Sequence, residues 1–179
     1  IYKSTYNIGI KHRCSSTSFP VKLAKPCVSS SLTNFMNLKP AGYAFDSFLP
    51  ALRQARQLAH DTCRQFNRAP SKGHLKKLKA LFKECQPEVF IEAGFFCDYG
   101  QFISIGARSY ININCTFLDG GKITLGDDVM LGPNVQIITI NHATCPKERL
   151  QKASFAQDVV LGNNVWVGAG AIILPGVTI

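Results

Sequence analysis

A chain of 179 residues, 46% of them hydrophobic, is the size of one domain and has apolar mass enough for a core. No apolar run approaches the roughly 20 residues of a membrane span, so no membrane partner is expected. The net charge of +9 does not make a nucleic-acid surface either: residues 1–45 hold six Lys/Arg and no acid, leaving +3 for everything after them.

The seven cysteines stand at positions 14, 27, 63, 85, 97, 115 and 145. They include no C-x-x-C pair, so neither a zinc knuckle nor a disulfide framework is suggested, and reduced thiols in a cytoplasmic setting are expected. Residues 1–36 are Ser-rich, basic and without period. That composition suits a disordered leader or a transit peptide, and equally translated sequence upstream of a start at Met36.

From Asp46 to Asn67 the residues Phe48, Leu49, Leu52, Ala55, Leu58, Ala59, Cys63 and Phe66 recur every three or four positions. This predicts a helix with one buried stripe. Ala69-Pro70-Ser71 breaks it, and Ser71 is placed to cap a second helix running to about Cys85. The lysines of that second segment, unaccompanied by aromatics, read as a solvated face. Pro87 closes a helical region spanning 37–87.

Beyond it the chain repeats every six residues: LGDDVM (125–130), LGPNVQ (131–136), IITINH (137–142), then LGNNVW (161–166), VGAGAI (167–172) and ILPGVT (173–178). An earlier copy, IGARSY (105–110), sits in a shifted frame. A period of six is neither helical nor alternating, and it predicts a solenoid of short parallel strands over 88–179. Three repeats would make an 18-residue coil. Leu125, Leu131, Ile137, Leu161, Val167, Ile173 and Ile179 would point inward, stacking at about 4.8 Å, and Gly and Asn would turn the corners. The phase survives residues 141–158, which fit no repeat and read as a loop thrown out from the wall, with His142 at its root. A histidine there is well placed as a general base; a loop histidine satisfied by backbone carbonyls is the plainer alternative. His12, His60 and His74 lie elsewhere, so no metal site is expected around it.

The blocks "CDYGQFISIG" (97–106), "NINCTFLDGGKITLGDDVMLGPNVQI" (112–137), the His142–Arg149 loop and "LGNNVWVGAGAIILPGVTI" (161–179) resemble the maltose/galactoside O-acetyltransferase family. The segment "GYAFDSFLPALRQARQLAHDTCRQFN" (42–67) resembles that family's helical preface. The resemblance implies a mainly β fold, a left-handed parallel β-helix behind a small helical region. It also implies a homotrimer with sites between neighbouring solenoids, and direct acetyl transfer from acetyl-CoA to a sugar hydroxyl.

His142 matches the family's catalytic base. Asp46, Asp98 and Asp119 match sugar-contacting positions, with a helix N-cap the alternative for Asp46 and an Asx turn that for Asp98. Asp119 precedes Gly120, where the galactoside branch has a second acid. Asn112, Trp166, Gly168 and Ala169 match the cofactor side. A corner asparagine and a core-edge tryptophan are the structural alternatives for Asn112 and Trp166. Ala169 lacks the hydroxyl some members carry, which leaves backbone N–H donation. Arg149 reads as a loop clasp, a phosphate contact or a solvated charge. The chain begins with Ile1 rather than methionine and ends with Ile179 on an inward position, so it is expected to be cut short at both ends. An inactive β-helix binding or structural protein is the alternative function.

Overall fold

The computed structural model describes residues 44–45, 47–143, 145–152 and 154–179. The leader 1–36 and Asp46 lie outside the described residues.

Helix α1 (Pro50–Arg68) begins four residues later than the pattern predicts. Pro50 explains the start: it lacks an N–H and holds a helical φ, which suits the first turn. Leu49 is the cap residue, so the N-cap reading of Asp46 does not hold. Ser71 does cap α2 (Lys72–Lys79), its side chain accepting the His74 N–H at 3.1 Å. α2 stops six residues short of Cys85, because Glu84–Cys85 is already a strand paired in parallel with Ser104–Ile105. The solenoid therefore starts at Glu84.

Three parallel four-stranded sheets form its faces. The first holds Glu84–Cys85, Ile103–Ile105, Ile123–Leu125 and Val159–Leu161. The second holds Phe90–Ile91, Tyr110–Ile111, Met130–Leu131 and Trp166–Val167. The third holds Phe96–Cys97, Thr116–Leu118, Gln136–Ile138 and Ile172–Ile173. The inward rows follow the hexad. Ile91, Ile111, Leu131 and Val167 stack in one buried row, and Cys97, Phe117, Ile137 and Ile173 in another. Ile179, predicted inward, is 53% exposed, and its N–H bonds the Val160 carbonyl.

The coil is not uniformly 18 residues. Cys85 aligns with Ile105 and Ile105 with Leu125, an advance of 20 residues per turn. The hexad runs intact from 105 to 117, so the two additional residues fall between the third face and the first. That insertion is why the IGARSY copy sits out of frame. The other two corners are tight and need left-handed backbone. Asn114 (φ 59°), Asn134 (φ 60°) and Gly170 (φ 72°) supply it at one, and Asp128 (φ 58°) and Asn164 (φ 57°) at the other.

At the third corner after Gln136–Ile138 the chain leaves the wall. Ile140–His142 runs out, helix α3 (Pro146–Arg149) turns at the tip, and Ser154–Ala156 returns antiparallel. Ala44–Phe45 adds a third strand on the outer side of Ser154–Ala156. The predicted loop is thus a ribbon with its own hydrogen bonds, which fixes where its root residues stand.

α1 closes the first coil along a stripe four, three and four residues apart. Arg56 meets Tyr99, His60 meets Phe96 and Asp98, the Cys63 Sγ lies 3.8 Å from that of Cys97, and Asn67 clasps the backbone at Gly94 and Phe95. The Asn67 amide receives the Gly94 N–H at 2.8 Å and donates to the Phe95 carbonyl at 2.9 Å, satisfying groups that a missing coil would otherwise leave open. Ala59, Phe66, Leu78 and Phe82 bury beneath it, Phe82 edge-on to Phe95 and Phe95 to Phe117. No helix among the described residues is long and apolar enough to cross a membrane.

Candidate active site

The third corner collects two of the predicted side chains. Tyr99, Asp119 and Thr139 are equivalent positions of three successive coils, two residues beyond the paired Cys97, Phe117 and Ile137. Asp119 is 0% exposed, and its Oδ1 accepts the backbone N–H groups of Asp98 and Tyr99, each at 2.9 Å. Its Oδ2 is buried without a partner among the described residues. Burial pushes this carboxyl up to about 8, against the lowering pull of the Tyr99 N–H and helped by the Asp98 charge. In this arrangement Asp119 has no surface on which to meet an acceptor; what it touches is the turn that carries Asp98. Thr139 continues the column, its hydroxyl accepting the Gly121 N–H at 2.8 Å and donating to the Leu118 carbonyl at 2.6 Å.

His142 stands three residues beyond Thr139 on the outgoing strand, exposed, with its backbone N–H bonded to the Asn141 Oδ1 at 3.0 Å. Across the ribbon His142 pairs with Ser154, and Ser154 with Phe45. Phe45 and His142 thus flank Ser154 on its two sides, one strand apart. Arg149, at the end of α3, donates to the Ala143 carbonyl at 3.1 Å and ties the ribbon's tip back to its root.

The second corner carries the other predicted group. Asn112, Gly132 and Gly168 are equivalent positions, each following an inward residue of the second face. The Asn112 Oδ1 accepts the Ile113 N–H at 2.8 Å. A Cβ on Gly132 would lie 2.7 Å from the Ala169 nitrogen, whereas one on Gly168 would meet nothing within 4 Å. Gly168 and Ala169 are exposed, and Trp166 beside them is 75% exposed. Trp166 heads an outward column with Met130, Tyr110 and Phe90, the last two rings stacked at 5.8 Å. Trp166 is therefore no core-edge aromatic. The third face separates this corner from the one that carries Asp98 and Asp119.

Sequence reasoning missed Arg56, His60 and Tyr99. The His60 Nε2 lies 3.5 Å from the Asp98 Oδ1, with the imidazole against Phe96 at 4.5 Å. The Arg56 guanidinium bonds the Tyr99 hydroxyl and sits 5.1 Å over its ring. A signal was available in the spacing: Arg56, His60 and Asn67 fall on the same stripe as Cys63, where a helix merely covering a core would be apolar. Among the described residues no group of three or more His, Cys, Asp or Glu converges as a metal site would.

No family model matches the chain. Individual proteins do. The galactoside O-acetyltransferase of Escherichia coli is 30% identical over 142 residues, covering 78% of this chain and 70% of its own length. The solved maltose O-acetyltransferase of Clostridium difficile is 34% identical, with a TM-score of 0.73 over 76% of this chain and 75% of that one. This chain belongs to the maltose/galactoside O-acetyltransferase family of hexapeptide-repeat acetyltransferases. Its solenoid is the family's left-handed parallel β-helix. A galactoside acetyltransferase in complex with coenzyme A superposes with a TM-score of 0.69 at 29% identity, over 76% of this chain and 70% of that one. Nodulation protein L of Rhizobium meliloti is 49% identical over 95 residues, which are 53% of this chain and 52% of the relative; the chain spans about half the length of that protein.

Proposed function

We propose that this chain transfers the acetyl group of acetyl-CoA directly to a hydroxyl of a sugar, with His142 as general base. The observation that carries the reading is the place of His142: it is held by strand pairing at the root of the ribbon that leaves the corner where Asp98 and Asp119 lie. In the proposed step the imidazole takes the hydroxyl proton as the oxygen attacks the thioester carbonyl. Backbone N–H groups at Gly168–Ala169 receive the oxyanion. The C–S bond then breaks, and the imidazolium returns its proton to the departing thiolate, so base and acid are one residue. Asp46 and Asp98 bind paired sugar hydroxyls as carboxylate acceptors. Asp119 acts on the acceptor through the Asp98 turn.

The coenzyme A complex of the similar galactoside acetyltransferase supports acetyl-CoA as donor, and the galactoside and maltose enzymes support a sugar as acceptor. Asn112 and Trp166 lie on the donor side. Because the two groups of residues sit on successive corners, the site is completed between neighbouring solenoids of a homotrimer. The outward apolar column of Phe90, Met130 and Trp166 suits burial against another copy.

The test is acetylated sugar detected by mass spectrometry, from the chain and its His142→Ala variant, with acetyl-CoA and a sugar panel. His142 is exposed, so the variant should fold normally and lose roughly 10²–10⁴ in rate. Ala169 and Gly120, which lack groups other members carry, favour the second reading, an inactive binding protein of the same fold. Product from neither protein would count against the transferase reading of this chain.

A further inference from the structure

The side chains that hold the acceptor corner come from both sides of it, and the outer set lies on α1. The Asp98–Tyr99 turn is gripped from the next coil by the Asp119 Oδ1, which takes both of its backbone N–H groups. It is met from the helical region by His60, 3.5 Å from the Asp98 Oδ1, and by Arg56, bonded to the Tyr99 hydroxyl and stacked over its ring. A carboxylate that must orient a hydroxyl needs its own torsion held, and a contact on one oxygen leaves the other for the ligand.

A second observation separates this corner from an ordinary helix–solenoid contact. Among the described residues three buried side-chain polar atoms lack a hydrogen-bond partner, and all three belong to this neighbourhood: Arg56 Nε, Gln101 Nε2 and Asp119 Oδ2. Each such atom costs about 1–3 kcal/mol, and apolar groups of the same shape would serve a cap better. Unsatisfied polarity gathered at one corner, while Asn67 and Ser71 elsewhere in the helical region are hydrogen-bonded, marks groups kept for something other than stability.

Resting on the transferase reading above, we infer that Arg56 and His60 are positioning residues for the sugar acceptor. They act by holding the Asp98–Tyr99 turn, and the helical region is thereby part of the acceptor site as well as the end cap of the solenoid.

Two measurements on the full chain test this, using His60→Ala, Arg56→Ala and the conservative Arg56→Lys and His60→Gln. Hydrogen exchange, followed by mass spectrometry, should speed up at the amides of 98–101 in the alanine variants and stay unchanged in the far coil at 159–167. Steady-state kinetics should show the KM for the acceptor rising roughly 10- to 100-fold, the KM for acetyl-CoA moving less than about twofold, and Arg56→Lys recovering part of the loss. Unchanged exchange at 98–101 would overturn the bracing even with the transferase active. Equal losses toward both substrates would overturn it too, since a general loosening gives that result. A wild-type chain that acetylates no sugar would instead sink the functional reading, and the acceptor role of these residues with it. The conservative variants keep the test open should an alanine variant fail to fold.

Discussion

The third corner and the second corner of this solenoid are made of the same six-residue repeat and have opposite characters. The third is longer by two residues, closed and polar inside: Asp119 and Thr139 are buried, and the turn at Asp98 and Tyr99 is held from two directions. The second is tight and carries no buried acid among the described residues: Asn112 accepts the next N–H along the chain, and Gly168, Ala169 and Trp166 are exposed. The difference teaches that two extra residues give one corner room for buried polar side chains, while the other presents backbone and an outward aromatic. On the proposed function, the first suits the fixed acceptors that hydroxyl groups need, and the second the backbone donors proposed for the thioester.

Breaking the closed corner should give the largest effects. The Asp119 carboxyl titrates near 8 in the folded chain and near 3.8 when exposed, so between those values the native state holds a proton that the unfolded state has lost. Its stabilising contribution is full below about pH 4 and is lost as pH rises toward 8, at about 1.4 kcal/mol per pH unit. Asp119→Asn cannot ionise. Urea melts at pH 5 and 7.5 should therefore show the wild type losing about 3 kcal/mol more than the variant over that interval; parallel profiles would mean the buried acid is not the neutral group inferred.

A pair of glycine substitutions sharpens the contrast. Gly100 at the third corner has φ +77°, and a Cβ there would lie 2.8 Å from the Leu81 Cβ and 3.1 Å from its carbonyl oxygen. Gly100→Ala should cost about 2–3 kcal/mol from left-handed strain and overpacking. Gly168→Ala, with nothing to meet, should change stability by less than about 0.5 kcal/mol. Thermal denaturation of the two proteins side by side decides the matter, and equal costs would erase the distinction between the corners. The effect expected at Trp166 is on binding and not on stability. Trp166→Ala should leave stability nearly unchanged and raise the KM for acetyl-CoA roughly tenfold, about 1.4 kcal/mol of lost aromatic contact, with the acceptor KM untouched. A change in the acceptor KM alone would place the donor elsewhere.

Much of the fold was legible because the inward residue of each hexad is dictated by local chemistry. Leu125, Leu131, Ile137, Leu161, Val167 and Ile173 all came out buried where the period put them. Ser71 capped its helix because a hydroxyl there reaches an N–H only three residues away. The errors lay where long-range pairing overrode a local pattern. α2 ended at Lys79 because Cys85 was needed opposite Ile105, and the coil lengthened to 20 residues where the acidic corner was inserted. The candidate site divides the same way. His142 was visible as a break in phase, whereas Asp119 showed only as an acid in a turn-like motif, with nothing local to say it would be buried beneath Asp98.

The sequence by itself determined the repeat, its inward rows, the interruption with His142 at its root and the helical preface, since each is a matter of spacing within a few residues. Only the tertiary structure decided which residues share a corner. It stacked Tyr99, Asp119 and Thr139 at 20-residue intervals, set Phe45 and His142 on the two sides of Ser154, and laid Arg56 and His60 of α1 against a turn about 40 residues later in the chain. Those meetings are set by how coils pile up and where a helix closes the pile, and no local propensity encodes them.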